Sequence, residues 1–345
     1  MEPNLVVSGG CEKTITVWKT SRKLYNFPKL GNLRPIVEVF KFLTAKEVTR
    51  LGALNKKFYE AAFHYEVWTN KSRLQKTQVL AGHFDIVNSL ILFGDNEFVA
   101  SASDDKTIKV WSLTTGKVTQ VLLGHEGWLN SLAISSKEEF LASGGKDATL
   151  RIWSLATGSQ IDVFRGHTCE VCSVAFSSRD NFVVSGAKDS RVRVWSFGSS
   201  QSFVLEGHSD WAKSVAVSTD EKLVVSGSAD KTIRVWDLSL PGSSRVFTGH
   251  NGAVYSVAIS SKDEFIVSAG YDKTIRVWNL LSGVQIQVFK GHTGKINSIS
   301  LSTDDKYLIS ASGDYSVRIW SLETGKQVQV LQGHFGEVRS VALAS

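Results

Sequence analysis

The sequence predicts an all-β protein built from repeated four-stranded units and interrupted near its N-terminus by a short helical block. The first observation is a Gly-His pair that returns every 42 residues, with one interval of 41, through most of the 345-residue chain. The second is the content of each unit, in which short apolar runs alternate with turns rich in Gly, Ser, Asp and Lys, as in short antiparallel strands. A fixed period of this length is typical of a repeat protein rather than of several unrelated domains.

Each unit carries four polar or aromatic side chains at corresponding places. In one unit His125 follows the glycine, Ser143 ends the second run, Asp147 lies in the next turn and Trp153 ends the third run. A buried indole N–H needs an acceptor, and a Ser hydroxyl can fill that role while it also bonds the imidazole. The carboxylate can accept from the imidazole and from backbone amides of its own turn. We therefore expect a Trp-Ser-His-Asp network that ties two strands to the loop entering each unit.

The same four positions recur in the other units. They are His83, Ser101, Asp105 and Trp111; His167, Ser185, Asp189 and Trp195; His208, Ser226, Asp230 and Trp236; His250, Ser268, Asp272 and Trp278; His292, Ser310, Asp314 and Trp320; and, from the two chain ends, His334 with Ser8, Glu12 and Trp18. A Ser, a His and an Asp together also suggest a hydrolase triad. A nucleophile needs one exposed Ser beside oxyanion donors, whereas this set occurs six times, and a seventh time with Glu in place of Asp, always with a Trp attached. We expect a structural role and no catalytic residue.

These repeats resemble the WD-repeat β-propeller family over nearly the whole chain, although the Trp-Asp pair itself survives only at Trp236-Asp237. The resemblance implies four-stranded blades arranged radially around a channel. Residues 5–18 supply two strands of a blade that lacks a first strand, and residues 333–345 supply a first strand with nothing after it. Pairing the two removes open sheet edges. The predicted fold is therefore a seven-bladed β-propeller closed by N- and C-terminal strands, with a small α-helical insertion.

The joint blade departs from the repeat at Glu12, where the six other units have Asp. The extra methylene of Glu12 should fit the tight turn less well. We therefore predict that the closing blade has the weakest hydrogen-exchange protection.

The helical block lies inside the joint blade. The fourth strand of the joint blade follows the block, at residues 75–80. We therefore predict three segments: 1–18 as the first strands of the closing blade, 19–73 as an insertion, and 74–345 as the rest of the propeller. A long insertion costs little there, because loop-closure entropy grows only logarithmically with length. Residues 44–47, Thr-Ala-Lys-Glu, form a capping box that begins a helix with an apolar stripe. Helices this short must pack on another surface to be stable.

Residues 35–68 resemble the F-box, the helical module that binds the Skp adaptor of cullin-type ubiquitin ligases. The family usually begins with Leu-Pro, whereas here Leu33 and Pro35 are separated by one residue. The resemblance implies a Skp-type adaptor as a partner, and through it a cullin ligase. The alternative is a helical cap that covers the side of the propeller. The predicted adaptor-binding residues are Pro35, Ile36, Val39, Phe40, Leu43, Val48, Leu51, Leu54, Phe58 and Trp68.

Alternating strand directions place the His and Asp turns on one face of the propeller, which we call the upper face, and the insertion on the opposite, lower face. Lysines at upper-face positions of three consecutive units can hold an acidic or phosphorylated segment as point charges. Related F-box propellers that bind phosphorylated motifs use Arg at such positions. The alternative is a set of solvated loop lysines. The predicted substrate-binding residues are Trp128, Lys146, Lys188, Trp211, Lys213, Tyr271 and Arg339.

Composition argues against several other classes of protein. The net charge of +6, from 39 basic and 33 acidic residues, permits an acidic partner without indicating nucleic acid. The chain begins MEPNLVVSGG, without the pattern of a signal peptide, and no apolar run reaches the ~18 residues of a membrane span. We expect a cytoplasmic or nuclear protein that does not associate with membranes. Cys169 and Cys172 supply only half of a zinc site, so we expect no metal and no cofactor.

Two functions of different classes are consistent with these patterns. The first is a non-catalytic substrate receptor of a Skp-cullin-F-box type ubiquitin ligase, in which the insertion binds the adaptor and the upper face binds the target protein. The second is a non-catalytic scaffold subunit of a stable multiprotein assembly with no role in ubiquitin transfer.

Overall fold

The structure is a computed structural model that describes residues 4–20, 74–197, 201–240 and 242–344. These residues form 28 strands in seven antiparallel sheets of four strands each. Six sheets are made of consecutive strands, which we call blades 1 to 6, and the seventh, the closing blade, combines strands from both ends of the chain. The described part of the chain is thus a seven-bladed all-β propeller, which confirms the predicted fold class. No helix among these residues is long and apolar enough to cross a bilayer.

The strands are short and of similar length in every blade. The closing blade contains β1 (Leu5–Gly10), β2 (Thr14–Thr20), β3 (Leu74–Ala81) and β28 (Val338–Leu343). Blades 1 and 2 contain β4 (Val87–Phe93), β5 (Phe98–Ser103), β6 (Ile108–Ser112), β7 (Val118–Leu122), β8 (Leu129–Ile134), β9 (Phe140–Gly145), β10 (Thr149–Ser154) and β11 (Gln160–Arg165). Blades 3 and 4 contain β12 (Val171–Phe176), β13 (Phe182–Ala187), β14 (Val192–Ser196), β15 (Ser202–Leu205), β16 (Ala212–Val217), β17 (Leu223–Ser228), β18 (Ile233–Asp237) and β19 (Ser244–Phe247). Blades 5 and 6 contain β20 (Val254–Ile259), β21 (Phe265–Gly270), β22 (Thr274–Asn279), β23 (Gln285–Lys290), β24 (Ile296–Leu301), β25 (Tyr307–Ser312), β26 (Val317–Ser321) and β27 (Gln327–Leu331).

The first strand of each blade lies beside the first strands of its two neighbours. The order β4, β8, β12, β16, β20, β24, β28 returns to β4 and so closes a ring. The fourth strand of each blade forms the outer edge. This radial arrangement brings the loops that enter the blades together around one end of a central channel.

The core lies between blades rather than within them. Val7 and Ile15 of the closing blade, for example, share a buried cluster with Val99 and Trp111 of blade 1. Because both faces of a blade pack against neighbours, the second strands lack the usual alternation of buried and exposed residues. In β13 every residue after Phe182 is buried. The repeat therefore buries its apolar residues only when neighbouring copies stack.

The closing blade joins the two chain ends as the sequence predicts. β28 pairs antiparallel with β1, so that Val6 faces Leu343, and β2 pairs with β3, so that Thr20 faces Leu74. β2 continues to Thr20, two residues beyond the predicted strand end at residue 18. The predicted insertion and its adaptor-binding positions, from Pro35 to Trp68, lie outside the described residues. The chain leaves the described part of the closing blade at Thr20 and returns at Leu74, on the lower face.

Candidate functional site

The Trp-Ser-His-Asp network connects three parts of each blade. In blade 2, Trp153 Nε1 donates to Ser143 Oγ at 2.8 Å, and Ser143 Oγ lies 2.7 Å from His125 Nε2. His125 Nδ1 lies 2.8 Å from Asp147 Oδ2. Since Nδ1–H donates a hydrogen bond to the carboxylate, Nε2 is free to accept one from the Ser hydroxyl. Asp147 also accepts from the Glu126 amide at 3.0 Å, which fixes the loop entering the blade.

The same bonds recur in five further blades, at 2.7–2.9 Å. They join His83, Ser101, Asp105 and Trp111; His167, Ser185, Asp189 and Trp195; His208, Ser226, Asp230 and Trp236; His250, Ser268, Asp272 and Trp278; and His292, Ser310, Asp314 and Trp320. Burial alone would raise the pKa of Asp105, but hydrogen bonds from His83, Thr107 and the Phe84 amide outweigh it and lower that pKa below 3.8. The carboxylates therefore stay charged at neutral pH.

The closing blade holds a longer version of this network. Trp18 Nε1 donates to Ser8 Oγ at 2.8 Å, and Ser8 Oγ lies 2.8 Å from His334 Nε2. His334 Nδ1 lies 3.3 Å from Glu12 Oε2, whereas the equivalent His–Asp distance in blade 1 is 2.7 Å. Glu12 also accepts from the Phe335 and Gly336 amides. The Glu carboxylate thus reaches the entering loop but binds the imidazole less closely.

The network serines are inaccessible to a substrate. Ser8, Ser101, Ser143, Ser185, Ser226, Ser268 and Ser310 each have 0% exposed surface. The bonds to Trp and His occupy these hydroxyls, so the geometry is that of a structural hub and not of an exposed nucleophile. Among the described residues, no group of three His, Cys, Asp or Glu side chains is placed to hold a metal ion.

A β-bulge marks the start of every first strand and orients one side chain at the rim of the upper face. The pairing of first and second strands skips one residue in each blade. A bulged residue is unpaired and bends its strand, which redirects its side chain. The seven bulged residues, each the fifth after a network His, are Asn88, Asn130, Cys172, Lys213, Tyr255, Asn297 and Arg339.

Three lysines and two tryptophans of blades 2 to 4 form two neighbouring groups on the upper face. Lys146 Nζ lies 3.9 Å from the centre of the Trp128 ring. Lys188 Nζ and Lys213 Nζ lie 4.5 Å and 4.3 Å from the centre of the Trp211 ring. These are cation–π distances. Trp128 and Trp211 are 46% and 40% exposed, so a partner can reach them. We call these five residues the lysine–tryptophan cluster.

Neighbouring groups set the charge of this cluster. Lys188 Nζ forms an ion pair of 2.7 Å with Glu170 Oε2. Burial, together with the charge of Lys188, lowers the pKa of Lys213, and Cys172 and Glu170 oppose the shift. Burial raises the pKa of the Cys172 thiol to about 11, so this thiol is protonated at neutral pH. The cluster is cationic, and the Cys172 thiol beside it is uncharged.

The two remaining predicted substrate-binding residues lie outside the cluster. Tyr271 is 59% exposed and packs edge-on against Tyr255, with ring centres 6.4 Å apart. Arg339, in the closing blade, donates to Asn88 Oδ1 at 3.0 Å, and Asn88 in turn donates to Asp104 at 2.6 Å. Arg339 is therefore part of a polar group beside blade 1 and is not in contact with the lysines.

Several exposed groups were absent from the sequence-based prediction. Phe84 and Phe335 are 81% and 88% exposed and follow the network His of adjacent blades. The other units have a polar residue at this position, and that departure is a signal visible in the sequence. Glu170 was also missed, although it stands three residues after its network His, as Trp128 and Trp211 do.

Comparison with known proteins now identifies the family. The model of the WD domain, G-beta repeat family matches residues 74–112, 116–154, 158–196, 199–237, 242–279 and 283–321. The matches cover more than half of the chain, which therefore belongs to this family. Propellers of this kind typically act as protein-interaction scaffolds without catalytic activity of their own.

Short segments are also similar to two curated proteins. One is described as "Probable E3 ubiquitin ligase complex SCF subunit sconB" of Arthroderma otae, 49% identical over 43 residues, which are 12% of this chain and 6% of that protein. The other is "Ribosome biogenesis protein BOP1 homolog" of Drosophila virilis, 46% identical over 39 residues, which are 11% of this chain and 5% of that protein. The chain thus matches only a small part of either relative.

Proposed function

We propose that this WD-repeat protein is a substrate receptor of a Skp-cullin-F-box type ubiquitin ligase. The observation that carries the proposal is the F-box-like pattern of residues 35–68, inserted in a propeller whose upper face bears the lysine–tryptophan cluster. The short similarity to an SCF subunit supports the same assignment. The F-box-like segment binds a Skp-type adaptor, and the upper face binds the target protein.

The two binding functions are assigned to opposite faces of the ring. Thr20 and Leu74 flank the insertion on the lower face, and the cluster lies on the upper face. An adaptor held below therefore leaves the upper face open to a target. The receptor acts by proximity, because it raises the effective concentration of the target near a conjugating enzyme that carries ubiquitin.

The upper face is suited to an acidic or phosphorylated segment of the target. Lys146 and Lys213 each lie over an exposed tryptophan ring, which offers a partner a charge and an apolar surface together. Ammonium groups recognise carboxylates and phosphates as point charges. Lys188 and Lys213 are partly buried, which weakens the screening of these interactions by water.

Adaptor binding is tested by co-purification of the full chain with a purified Skp-type adaptor. We expect the wild-type chain to bind and the substitutions Leu43→Asp, Leu51→Asp and Phe58→Asp to abolish binding, because a carboxylate cannot enter an apolar interface unpaired. The control is the triple replacement of Lys146, Lys188 and Lys213 by Ala, which should leave adaptor binding intact. If the wild-type chain does not bind the adaptor, the ligase assignment is wrong.

Target binding is tested with acidic and phosphorylated peptides by fluorescence anisotropy. Replacing Lys146, Lys188 and Lys213 together by Ala should lower the affinity at least tenfold, with a weaker salt dependence. The matched control replaces three exposed lysines of lower-face turns, Lys137, Lys222 and Lys262, by Ala. It makes the same change in net charge. Equal binding by both triple variants would show that the cluster is not the binding site.

The alternative function is a scaffold subunit of a stable multiprotein assembly without a ubiquitin role. The short similarity to a ribosome biogenesis protein favours it. On this alternative the insertion binds an unrelated subunit, so co-purification would recover a fixed set of partners that contains neither adaptor nor cullin.

A further inference from the structure

Glu170 occupies a distinctive place beside the cluster. It stands three residues after the network His of blade 3, and the same position holds Trp128 in blade 2 and Trp211 in blade 4. Its carboxylate forms a 2.7 Å ion pair with Lys188, the lysine that also lies over Trp211. The side chains of Lys188 and Glu170 are 28% and 23% exposed, so solvent reaches the pair. Glu170 is therefore an anion already bound at the site where an anionic partner would bind.

The three lysines of the cluster differ in whether a carboxylate is paired with them. Within the described part of the chain, no carboxylate lies within ion-pair distance of Lys146 or Lys213, and only Lys188 has such a partner. Lys188 and Lys213 both lie against one ring, that of Trp211. A group that binds both ammonium ions therefore competes with Glu170 for Lys188.

We propose that Glu170 is an internal competitor for Lys188 and makes the upper face select phosphorylated partners over merely acidic ones. The inference rests on the proposed role of the upper face in target binding. A partner's carboxylate carries the same charge as Glu170, so exchanging one for the other gains little Coulomb energy at Lys188. A phosphate ester carries about −1.5 to −2 charges and three acceptor oxygens, so it can bind Lys188 and Lys213 together.

This competition gives Glu170 a role in specificity that differs from a structural role. A structural ion pair, once removed, would weaken binding of both kinds of partner or leave both unchanged. A competitor, once removed, strengthens binding of the weaker partner most. The ratio of the two affinities therefore distinguishes the two roles.

The test uses the full-length chain and two labelled peptide mixtures in which one fixed position is flanked by degenerate residues. The fixed residue is phosphoserine in one mixture and Glu in the other, and binding is followed by fluorescence anisotropy. We expect the wild-type chain to favour the phosphoserine mixture. Glu170→Gln should raise the affinity for the Glu mixture about fivefold. The ratio of the affinity for the phosphoserine mixture to that for the Glu mixture should fall by a similar factor.

The control is Glu337→Gln. Glu337 also stands three residues after its network His, and it forms a 3.1 Å ion pair with Lys295 on the same face, in blades that hold no residue of the cluster. This substitution removes the same charge and should leave the preference unchanged.

Each outcome decides one of the two proposals. If the wild-type chain binds and Glu170→Gln leaves the preference unaltered, the competitor role is wrong while the proposed function stands. An equal effect of Glu337→Gln also overturns it, because overall charge would then explain the change. If neither the wild-type chain nor Glu170→Gln binds either mixture, the peptide-binding role of the upper face fails as well.

Discussion

Single residues matter most in the buried hydrogen-bond network. Ser185 has no exposed surface and is the shared partner of Trp195 Nε1 and His167 Nε2, each at 2.8 Å. A buried donor or acceptor that loses its partner costs more free energy than a satisfied bond contributes, because its desolvation is no longer compensated. Removal of the serine hydroxyl should therefore destabilise a blade more than removal of a group with a single partner.

Ser185→Ala should lower the free energy of unfolding by about 2–4 kcal/mol, because the indole N–H and the imidazole Nε2 both lose their partner. Urea unfolding followed by tryptophan fluorescence measures the change. Ser209→Ala, at an exposed position in the loop entering blade 4, is the control and should change stability by less than about 0.5 kcal/mol. Equal effects of the two substitutions would argue against the network as a source of stability.

Glu12→Asp should raise stability by about 0.5–1 kcal/mol, because the shorter carboxylate can bind His334 at the distance seen in the other blades. The reverse exchange in blade 2, Asp147→Glu, is the matched control and should destabilise the protein. Thermal unfolding of both variants measures the effects. A loss of stability in Glu12→Asp would show that the closing blade is adapted to the longer side chain.

Much of the fold could be predicted from the repeat, but contacts between blades could not. The spacing of His125, Ser143, Asp147 and Trp153 follows from the geometry of one blade, which the sequence pattern encodes. The stacking of Lys188 on Trp211 joins residues of different blades, and it depends on the curvature of the ring. The ion pair of Lys188 with Glu170 lies within blade 3, where the Lys188 amide also donates to the Glu170 carbonyl at 2.9 Å, so the pattern of one unit could have indicated it.

At the level of elements, each blade is held by its neighbours as much as by its own ladder. The closing blade differs from the others because no turn connects its first and second strands. β28 and β1 come from distant parts of the chain and are joined by backbone hydrogen bonds. Its network also contains the longest His–carboxylate distance, 3.3 Å, of the described blades. Both features reduce its local stability.

Backbone amides of β1 and β2 should therefore exchange faster than those of the second and third strands of blades 1 to 6. Native-state hydrogen exchange with mass spectrometry measures this difference. Glu12→Asp should slow exchange in β1 and β2 and leave blade 3 unchanged. Equal protection of all blades in the wild-type chain would contradict the prediction.

At the level of the whole molecule, buried His–carboxylate pairs link stability to pH. Burial lowers the pKa of His292 and of His334 below 6.5, although Asp314 and Glu12 oppose the shift. Burial alone would raise the pKa of Asp230, but hydrogen bonds from the His208 side chain and from the Thr232 hydroxyl and amide hold this pKa below 3.8. In both cases the unfolded chain binds protons before the folded chain does as pH falls.

Stability should therefore be highest at neutral pH, begin to fall below about pH 6.5 as unfolded histidines take up protons, and fall further below about pH 4 as unfolded carboxylates do. Urea midpoints measured from pH 7.5 to 3.5 test this. Stability that is constant or rises between pH 7 and pH 5 would contradict the assigned His shifts.

We propose that this one chain joins an adaptor-binding insertion to a target-binding propeller. The most direct measurement is affinity purification of the intact chain from cells, with partners identified by mass spectrometry, for wild type, Leu51→Asp and the triple replacement of Lys146, Lys188 and Lys213 by Ala. We predict that the wild-type chain recovers a Skp-type adaptor, a cullin and target proteins. Leu51→Asp should lose the adaptor and the cullin and keep the targets. The triple variant should lose the targets and keep the adaptor and the cullin. A wild-type chain that recovers neither adaptor nor cullin would contradict the claim.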